Sequence, residues 1–246
     1  MARWLDRLVL CYHGIHPEPR HGEVTPEALR AQLALVLKRG HRFTTFSDAV
    51  LGLPAGRVAA VTFDDGIASA VEFGLPVLDE LGLPATMFLT LDTLGVGGRL
   101  VPADAERLVA RGWEVGSHTV SHPNLTKLDD GALSSELRSS REGIERLTHV
   151  PCTSVAYPKG YADGRVVAAA EAAGYVAGAA LEGATDLGPI VLAWPRVGVR
   201  GDDSVRVFGL KCSRAVRRAR SGWAREPIAK LATGAGAARR RLGRSA

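Results

Sequence analysis

Short apolar runs recur along the chain, and most of them end in a polar or ionisable residue. Seven such runs are rich in residues that favour extended backbone, and each predicts a β-strand. The predicted strands begin at Leu8, Val58, Ala85, Trp113, Ser154, Tyr175 and Ile190.

Segments with helical periodicity lie between most of these runs. The segment 25–40 has Thr25 as an N-cap, a proline at the first helical position and a glycine as a stop signal. In the segment 68–82, Pro76 should kink or split the helix. Further helices are predicted within 102–112, 128–147 and 164–174. This alternation predicts one α/β domain with a mainly parallel sheet, either open or closed into a barrel.

Charge divides the 246 residues into two parts. Residues 211–246 contain 11 Lys or Arg and one acidic residue, whereas residues 1–210 contain 20 Lys or Arg and 25 acidic residues. The net charge is therefore about −5 for the body and about +10 for the tail. We predict a catalytic-type domain over 1–210 and a basic tail over 211–246 that is helical or partly disordered.

The basic tail permits three interpretations. It is a solvated basic end, an interfacial segment attracted to anionic lipid with Trp223 as an anchor, or a contact for acidic polysaccharide or nucleic acid. The acidic body argues against specific nucleic-acid binding by the whole protein. The second interpretation would place the protein peripherally at the inner face of a membrane.

The first residues and the cysteines bear on the cellular location of the protein. The first residues, "MARWLDRLVLCYHG", contain Asp6 and Arg7 within a short apolar stretch, so they predict a lead-in and a first strand rather than a secretory signal. Three scattered cysteines predict buried, reduced thiols rather than a disulfide framework or a cysteine-based zinc site. We therefore expect a cytoplasmic protein.

The ends of the predicted strands carry chemistry. The first ends in Tyr12-His13, the second in Asp64-Asp65 and the fourth in Ser117-His118, while the fifth ends in Tyr157-Pro158. Because the carboxyl ends of parallel strands meet at one edge, these side chains should converge on one site.

Two histidines and a pair of carboxylates suggest a metal centre. His118 and His122 are four residues apart, a spacing that lets both imidazoles reach one ion if the chain turns between them. With one carboxylate from "TFDDG" they form a two-His, one-carboxylate set, which suits Zn²⁺ and also Co²⁺, Mn²⁺ or Fe²⁺. The other carboxylate can then serve as a base for a water whose pKa the metal lowers.

At these residues the chain resembles a known family. "TFDDG", followed about fifty residues later by "SHTVSHPNL", resembles the first two motifs of the polysaccharide deacetylases, carbohydrate esterase family 4. The resemblance implies a distorted (β/α)7 barrel, which agrees with the seven predicted strands. It also implies that Asp64 is the catalytic base and that Asp65, His118 and His122 are the metal ligands.

The third family motif is altered in this sequence. The family places an Arg before its Pro-Pro-aromatic-Gly stretch, whereas the segment here is "VAYPKGY", with Ala156 at the Arg position and Lys159 at the aromatic position. In the family this Arg supports the base, and a backbone N–H nearby helps to hold the oxyanion. We predict that Arg196, in the last strand, replaces the missing Arg and that the Lys159 N–H keeps the backbone role.

The family's late histidine motif is absent, because no histidine follows His149. The opening "CYHGIHP" resembles a circularly permuted subset that includes deacetylases of poly-N-acetylglucosamine-type polymers, so His13 is predicted to be the general acid. An amine leaving group requires a proton from a group that titrates near neutrality.

The resemblance therefore implies a metal-dependent hydrolase of carbon–nitrogen bonds that removes N-acetyl groups from a sugar, glycolipid or polysaccharide. Asp64, His13 and Arg196 are its predicted catalytic residues, and one divalent ion, best matched by Zn²⁺, is its cofactor. Three alternatives stay open: removal of O-acetyl groups, hydrolysis of a small-molecule amide or imide, and a non-catalytic carbohydrate- or metal-binding relative.

Overall fold

A computed structural model describes residues 3–20, 22–52 and 55–220. Its strands, all of them parallel to their neighbours, are short and almost wholly buried. In chain order they are β1 (Arg7–Tyr12), β2 (Arg42–Phe43), β3 (Val58–Phe63), β4 (Thr86–Leu89), β5 (Glu114–Ser117), β6 (Ser154–Ala156), β7 (Ala177–Leu181) and β8 (Trp194–Gly198).

Seven of these strands close into a ring. The order β1-β8-β7-β6-β5-β4-β3 returns to its start because β1 also pairs with β3. The two-residue strand β2 pairs with β3 outside the ring, and the sequence pattern did not predict it. The seven strands of the ring are the seven predicted from the apolar runs, and the predicted (β/α)7 barrel in a single domain is confirmed.

Helices surround the ring. They are α1 (Pro26–Lys38), α2 (Phe46–Leu51), α3 (Leu75–Leu81), α4 (Pro102–Ala110), α5 (Asp130–Thr148), α6 (Gly164–Ala172), α7 (Val205–Lys211) and α8 (Arg214–Arg220). The Thr25 hydroxyl accepts a hydrogen bond from the Ala28 N–H, so the predicted cap of α1 is present. The predicted interruption near Pro76 is also present, as a π-helical turn over Ala70–Gly74 that precedes α3.

Alternate residues of each strand face two separate apolar layers. On β1, Leu8 and Leu10 pack in the layer between ring and helices, whereas Val9 packs inside the ring. The interior layer includes Phe88 of β4 and Trp194 of β8. Because side chains fill the interior, as in other small barrels, chemistry is left to the strand ends.

The ring closes at a seam between β1 and β8. Strands β1 and β8 share only the register pairs Leu10–Val197 and Cys11–Gly198, although β1 and β3 pair along their whole length. Helix α8 lies beside the start of β1, and Arg217 donates hydrogen bonds to the carbonyls of Leu5 (3.1 Å) and Arg7 (2.6 Å). The side chain of Arg217 thus binds backbone carbonyl groups beside the start of β1, next to the seam.

The predicted tail begins at Lys211, the last residue of α7. Its residues 211–220 are folded against the body, and Arg217 is buried. The rest of the predicted tail, 221–246 with Trp223, lies outside the described residues. Among the described residues, no helix combines the length and the apolar character needed to cross a bilayer.

Candidate active site

The strand ends of the ring bring most of the predicted site residues together. Asp64 and Asp65 follow β3, His118 follows β5, and Arg196 reaches them from within β8. His122 joins them from the loop after β5. The convergence expected from a parallel sheet is therefore present at the carboxyl end of the ring.

Asp64 forms a two-pronged ion pair with Arg196. The Arg196 Nη1 donates to Asp64 Oδ1 at 2.6 Å and Nη2 donates to Oδ2 at 2.7 Å, and both side chains are buried. Burial alone would raise the pKa of Asp64, but the guanidinium outweighs it and holds the pKa well below its usual range. Asp64 is therefore ionised at any pH at which the protein would act.

Further contacts fix this pair in place. The Arg196 Nη1 also donates to Thr62 Oγ1 at 3.0 Å, and the guanidinium lies 5.5 Å from the centroid of the Phe88 ring. The Cys11 thiol donates to Asp64 Oδ2 at 3.4 Å, and burial raises the pKa of that thiol so that it keeps its proton. A carboxylate held by three donors has little freedom to rotate.

This geometry bears on the altered third motif. Ala156, at the position where the family has its Arg, is fully buried and carries no charge. The guanidinium that contacts Asp64 instead comes from β8, 132 residues along the chain from that aspartate. The contact predicted between Arg196 and Asp64 exists, and the catalytic role assigned to Arg196 stays a prediction.

Asp65, His118 and His122 form the candidate metal centre. The Nε2 atoms of both histidines lie 3.4 Å from Asp65 Oδ1, and one ligand atom from each residue lies within 4.8 Å of the others. The His118 Nδ1 is 2.7 Å from the Ala156 carbonyl oxygen, which accepts its proton. A neutral His118 then turns the lone pair of Nε2 towards a carboxylate oxygen, and two acceptors facing each other call for a cation between them.

The donor set fits a divalent ion. Two imidazole nitrogens and one carboxylate oxygen, with the second nitrogen of His118 anchored on a backbone carbonyl, suit Zn²⁺ and other first-row ions. Burial lowers the pKa of His122, which favours the neutral imidazole that a metal ligand requires.

The backbone of the site is held in an uncommon conformation. Five non-glycine residues in the described part of the chain have positive φ, and His149 at the end of α5 is the only one away from the site. The others are Asp65 (69°), Thr119 (70°), His122 (60°) and Lys159 (60°). Such residues cost roughly 1–2 kcal/mol each and persist where surrounding contacts enforce them.

The loop between the two histidines is fixed by Glu136 of α5. Its carboxylate accepts hydrogen bonds from the N–H groups of Val120 (2.8 Å) and Ser121 (3.1 Å) and from the Ser121 hydroxyl (2.6 Å). The Thr119 hydroxyl accepts from the His122 N–H at 3.1 Å. The spacing of the motif predicts a turn between the histidines, but nothing in its letters points to Glu136.

Arg99 is a second residue that sequence reasoning missed. Its Nη1 donates to the Asp65 backbone carbonyl at 2.7 Å and lies 3.7 Å from Asp65 Oδ2. The carboxylate of Asp65 thus has one oxygen towards the histidines and the other towards a guanidinium. Arg99 lies 34 residues from Asp65 in a glycine-rich loop, so no local pattern could have revealed it.

His13 lies beside this centre. It is partly exposed and lines a cavity of about 500 Å³ together with Arg196 and the buried carboxylate of Glu182. It is near enough for its charge to act on both Asp64 and Asp65. The position allows the predicted acid role, which stays a prediction.

Comparison with known proteins gives the site a context. Residues 53–178, about half of the chain, match the model of the polysaccharide deacetylase family. YxkH of Bacillus subtilis, named as a polysaccharide deacetylase, is 28% identical over 207 residues, which are 82% of this chain and 74% of that protein. A peptidoglycan-N-acetylglucosamine deacetylase of Bacillus cereus is 35% identical over 91 residues, 36% of this chain and 31% of the relative.

Solved structures agree on the fold. The crystal structure of BC0361, a polysaccharide deacetylase from Bacillus cereus, superposes with a TM-score of 0.72 at 26% identity, over 84% of this chain and 69% of that one. The Streptococcus pyogenes deacetylase PplD superposes with a TM-score of 0.74 at 21% identity, over 84% and 97% of the two chains. At that identity the second match speaks for the fold alone.

The family match spans both motifs singled out in the sequence, from the adjacent aspartates to the paired histidines. It also includes the altered "VAYPKGY" segment. The fold and the sequence matches point the same way. The chain belongs to the polysaccharide deacetylase family.

Proposed function

We propose that this protein hydrolyses the N-acetyl group of an amino sugar within a polysaccharide, oligosaccharide or glycolipid. The products would be acetate and a free amine. One observation carries the proposal: two adjacent carboxylates have separate surroundings, Asp64 bound to a guanidinium and Asp65 beside two imidazoles. That division is what a hydrolase with both a base and a metal centre requires.

The residues that would hold the ion are Asp65, His118 and His122. A divalent ion bound there would supply Lewis acidity, lowering the pKa of a nearby water to about 7 and polarising the acetyl carbonyl. We propose Zn²⁺ as the natural ion, with Co²⁺, Mn²⁺ and Fe²⁺ as ions that the same donors accept.

In this proposal Asp64 accepts the proton of the attacking water. Arg196 keeps the carboxylate ionised and oriented, so the base is present in its reactive form before substrate arrives. The same ion pair makes Asp64 a weak base, because its pKa lies far below that of an isolated carboxylate. Such a base suffices only for a water that is already acidified, which links its role to the adjacent ligand set.

His13 would protonate the departing amine. It enters the site from β1, whereas the metal ligands follow β3 and β5, so acid and base approach from neighbouring strands of the ring. The Lys159 N–H, in the turn after β6, is our candidate for the donor that stabilises the oxyanion.

The relatives support an acetylated carbohydrate as substrate. The Bacillus cereus relative is named for peptidoglycan N-acetylglucosamine, and PplD is described in complex with acetate. The proposal for this chain is broader than either name, since the shared segment covers 36% of the chain in the first case and identity is 21% in the second.

The test is acetate release from a panel of N-acetylated monosaccharides, oligosaccharides, polysaccharides and lipid-linked sugars. Zinc-loaded wild-type protein is compared with Asp64→Asn and with Asp79→Asn, an exposed aspartate paired with Arg111 on the outer surface. Release by wild type and Asp79→Asn, but not by Asp64→Asn, is the expected result. If the metal binds tightly and no member of the panel reacts, the weight moves to a small amide or imide substrate or to a non-catalytic relative.

We also propose a cytoplasmic location with peripheral contact at the inner membrane face, made by the basic residues after Arg220. The support is their charge alone. Sedimentation with anionic vesicles at low salt tests the membrane contact, with neutral vesicles as the control. The proposal fails if the protein does not sediment with the anionic vesicles.

A further inference from the structure

Helix α7 presents apolar side chains to solvent. Three large hydrophobic residues that are exposed lie within one short stretch of it: Val205 (43%), Val207 (43%) and Leu210 (57%). Among the described residues, no other helix carries more than one. Phe208 and Gly209 are buried, so α7 is attached to the body by one side while its other side is largely apolar. A cluster of exposed apolar groups indicates an interaction surface.

Basic side chains flank the apolar ones on α7. Val207 and Leu210 are three residues apart, so they are neighbours on the helix surface. Arg206 lies four residues before Leu210, and Lys211 lies four residues after Val207, which places one cation on each side of the aliphatic pair. Arg206 is exposed, whereas Lys211 is partly buried with its Nζ 2.6 Å from Asp203 Oδ2. The outer surface of α7 therefore has an aliphatic centre and basic edges.

Helix α8 continues this basic character. Residues 205–220 contain six Lys or Arg and no acidic residue. Three carboxylates of the body pair with them, those of Asp6, Glu182 and Asp203. Six cations against three carboxylates leave a net charge of +3, although residues 1–210 as a whole contain more acidic than basic residues. We call this outer surface the α7–α8 face, and it comprises Arg206, Val207, Leu210, Lys211, Arg214 and Arg218.

An anionic membrane complements the α7–α8 face better than other partners do. A second copy of the chain would set like charges against each other, and residues 221–246, with six Lys or Arg and one acidic residue, would do the same. A nucleic acid would pair with the arginines but would leave Val207 and Leu210 against phosphate or water. A bilayer with anionic lipid offers both partners, because its headgroups attract cations and its acyl boundary accepts aliphatic side chains.

The α7–α8 face lies close to the candidate site. Lys211 of α7 and Arg220 of α8 line the cavity beside the site, together with His13 and Arg196. Lys211 also donates to the Gly198 carbonyl at 3.3 Å, which ties α7 to the carboxyl end of β8. A membrane in contact with this face would therefore lie on the side of the molecule where the predicted acid and base are found.

We propose that the α7–α8 face docks the protein on a bilayer that contains anionic lipid. Val207 and Leu210 enter the headgroup region, while the arginines around them contact lipid phosphates. This surface is folded and partly apolar, so it is distinct from the contact proposed above for the basic residues after Arg220. The inference also goes beyond the proposed hydrolysis, because it holds whether or not the protein releases acetate.

The first test removes the apolar groups from the full-length protein. Sedimentation with phosphatidylglycerol–phosphatidylcholine vesicles compares wild type with Val207→Ser/Leu210→Ser, and Val150→Ser/Val176→Ser is the control. The control residues are also exposed but lie in the connections that lead into β6 and β7. The first double variant should weaken vesicle binding roughly tenfold and the control should bind like wild type, with melting temperatures unchanged in both. Wild-type binding by Val207→Ser/Leu210→Ser would overturn the proposal.

The second test changes charge. Arg206→Glu should weaken binding to the same vesicles roughly fivefold or more, whereas Arg138→Glu, at an exposed position of α5, should not. Vesicles of phosphatidylcholine alone should bind wild type weakly. Equal effects of the two charge variants would overturn the docking surface. A short DNA duplex that binds as tightly as the vesicles, and equally well to Val207→Ser/Leu210→Ser, would identify a general polyanion site and would also overturn it.

A kinetic readout separates docking from the proposed function. Val207→Ser/Leu210→Ser should keep wild-type kcat/KM on a soluble N-acetylated oligosaccharide and lose roughly tenfold on a lipid-linked N-acetylated sugar held in the anionic vesicles. If no substrate releases acetate while vesicle binding behaves as expected, the proposed function fails and the docking surface stands. If acetate release is normal but neither the aliphatic pair nor Arg206 affects vesicle binding, the docking surface fails alone.

Discussion

Two buried arginines each lie beside a buried carboxylate, and the two pairs behave differently. Arg196 meets Asp64 with two short hydrogen bonds, and the pKa of Asp64 is held well below its usual range. Arg217 lies 3.8 Å from Glu182, whose carboxylate oxygens make no hydrogen bond within the described structure, and burial raises the pKa of Glu182 to about 7. Geometry rather than proximity decides whether a buried charge is stabilised.

The difference lies in where each arginine directs its donors. Arg196 directs both terminal nitrogens at one carboxylate inside the ring. Arg217 directs its terminal nitrogens at backbone carbonyls near the start of β1 and stacks over Trp4, at 5.3 Å from that ring's centroid. The first arginine serves the candidate base, and the second serves the seam between β1 and β8.

Replacing Arg196 should have the largest effect. Arg196→Ala leaves Asp64 buried without its partner, which should destabilise the fold by about 3–5 kcal/mol and lower kcat roughly 10²-fold. Metal stoichiometry should remain near wild type because the ligands are other residues. Thermal unfolding, acetate release and metal analysis check this, with Arg196→Lys as the variant that keeps the charge but loses the second hydrogen bond. Full activity of Arg196→Ala would refute the pairing role.

Replacing Arg217 should damage stability without damaging chemistry. Arg217→Ala loses hydrogen bonds to the Leu5 and Arg7 carbonyls, so we expect about 2–4 kcal/mol of destabilisation with kcat per folded molecule retained. Arg214→Ala, on the same helix but 55% exposed, should change stability by less than about 1 kcal/mol. A denaturant titration that shows equal effects would contradict the seam role.

C-terminal truncations also test whether α8 and Arg217 stabilise the fold. Ending the protein after Arg220 keeps α8, whereas ending it after Leu210 removes α8 together with Arg217. The first truncation should unfold like the full chain, and the second should unfold at a lower denaturant concentration. A deletion that aims to test the basic tail must therefore start after residue 220.

Glu182 should make stability depend on pH near neutrality. Its folded-state pKa of about 7 lies above the usual value of 4.5, so the folded state holds a proton that the unfolded state has released. The contribution of Glu182 to the free energy of unfolding should therefore be fully present below about pH 4.5 and should be lost as pH rises through about 7. The loss should be at most on the order of 3 kcal/mol. Glu182→Gln should remove this part of the pH dependence, as measured by melting temperature from pH 5 to about 8. The same slope in both proteins would assign it elsewhere.

Replacing Arg99, a partly exposed arginine beside a carboxylate, should have the smallest effect. Arg99→Met should weaken zinc affinity about tenfold in a chelator competition, because Asp65 loses the donor that orients it. The loss of a nearby positive charge acts in the opposite direction, but the guanidinium is partly exposed and screened. Arg107→Met, at the surface of α4, is the control. Unchanged affinity would limit Arg99 to holding its loop.

Sequence reasoning reached far for this fold because strands and motifs are local signals. Seven apolar runs gave the seven strands of the ring, and the letters around Asp64 and His118 were enough to indicate the family. The short elements β2, α2 and α7 carry too few residues for periodicity to reveal them.

The missed parts of the site share a physical reason. Arg99 and Glu136 act on Asp65 and on the histidine loop through contacts made only after the chain has folded, across 34 residues in the first case and 15 or 16 in the second. Arg196 could be predicted because the family motif contains an arginine that this sequence lacks, so another arginine was expected to contact the base. No missing motif residue indicated Arg99 or Glu136.

The seam also sets an order of assembly. Strand β1 can pair with β3 once about 63 residues exist, but its other neighbour, β8, is completed only at residue 198. Closing a ring through contacts so distant in sequence is slow. A ribosome-bound chain would therefore hold an open sheet with one free edge of β1 until synthesis is nearly finished. Pulse-labelling hydrogen exchange during refolding should accordingly find the pairing of β1 with β8 protected last.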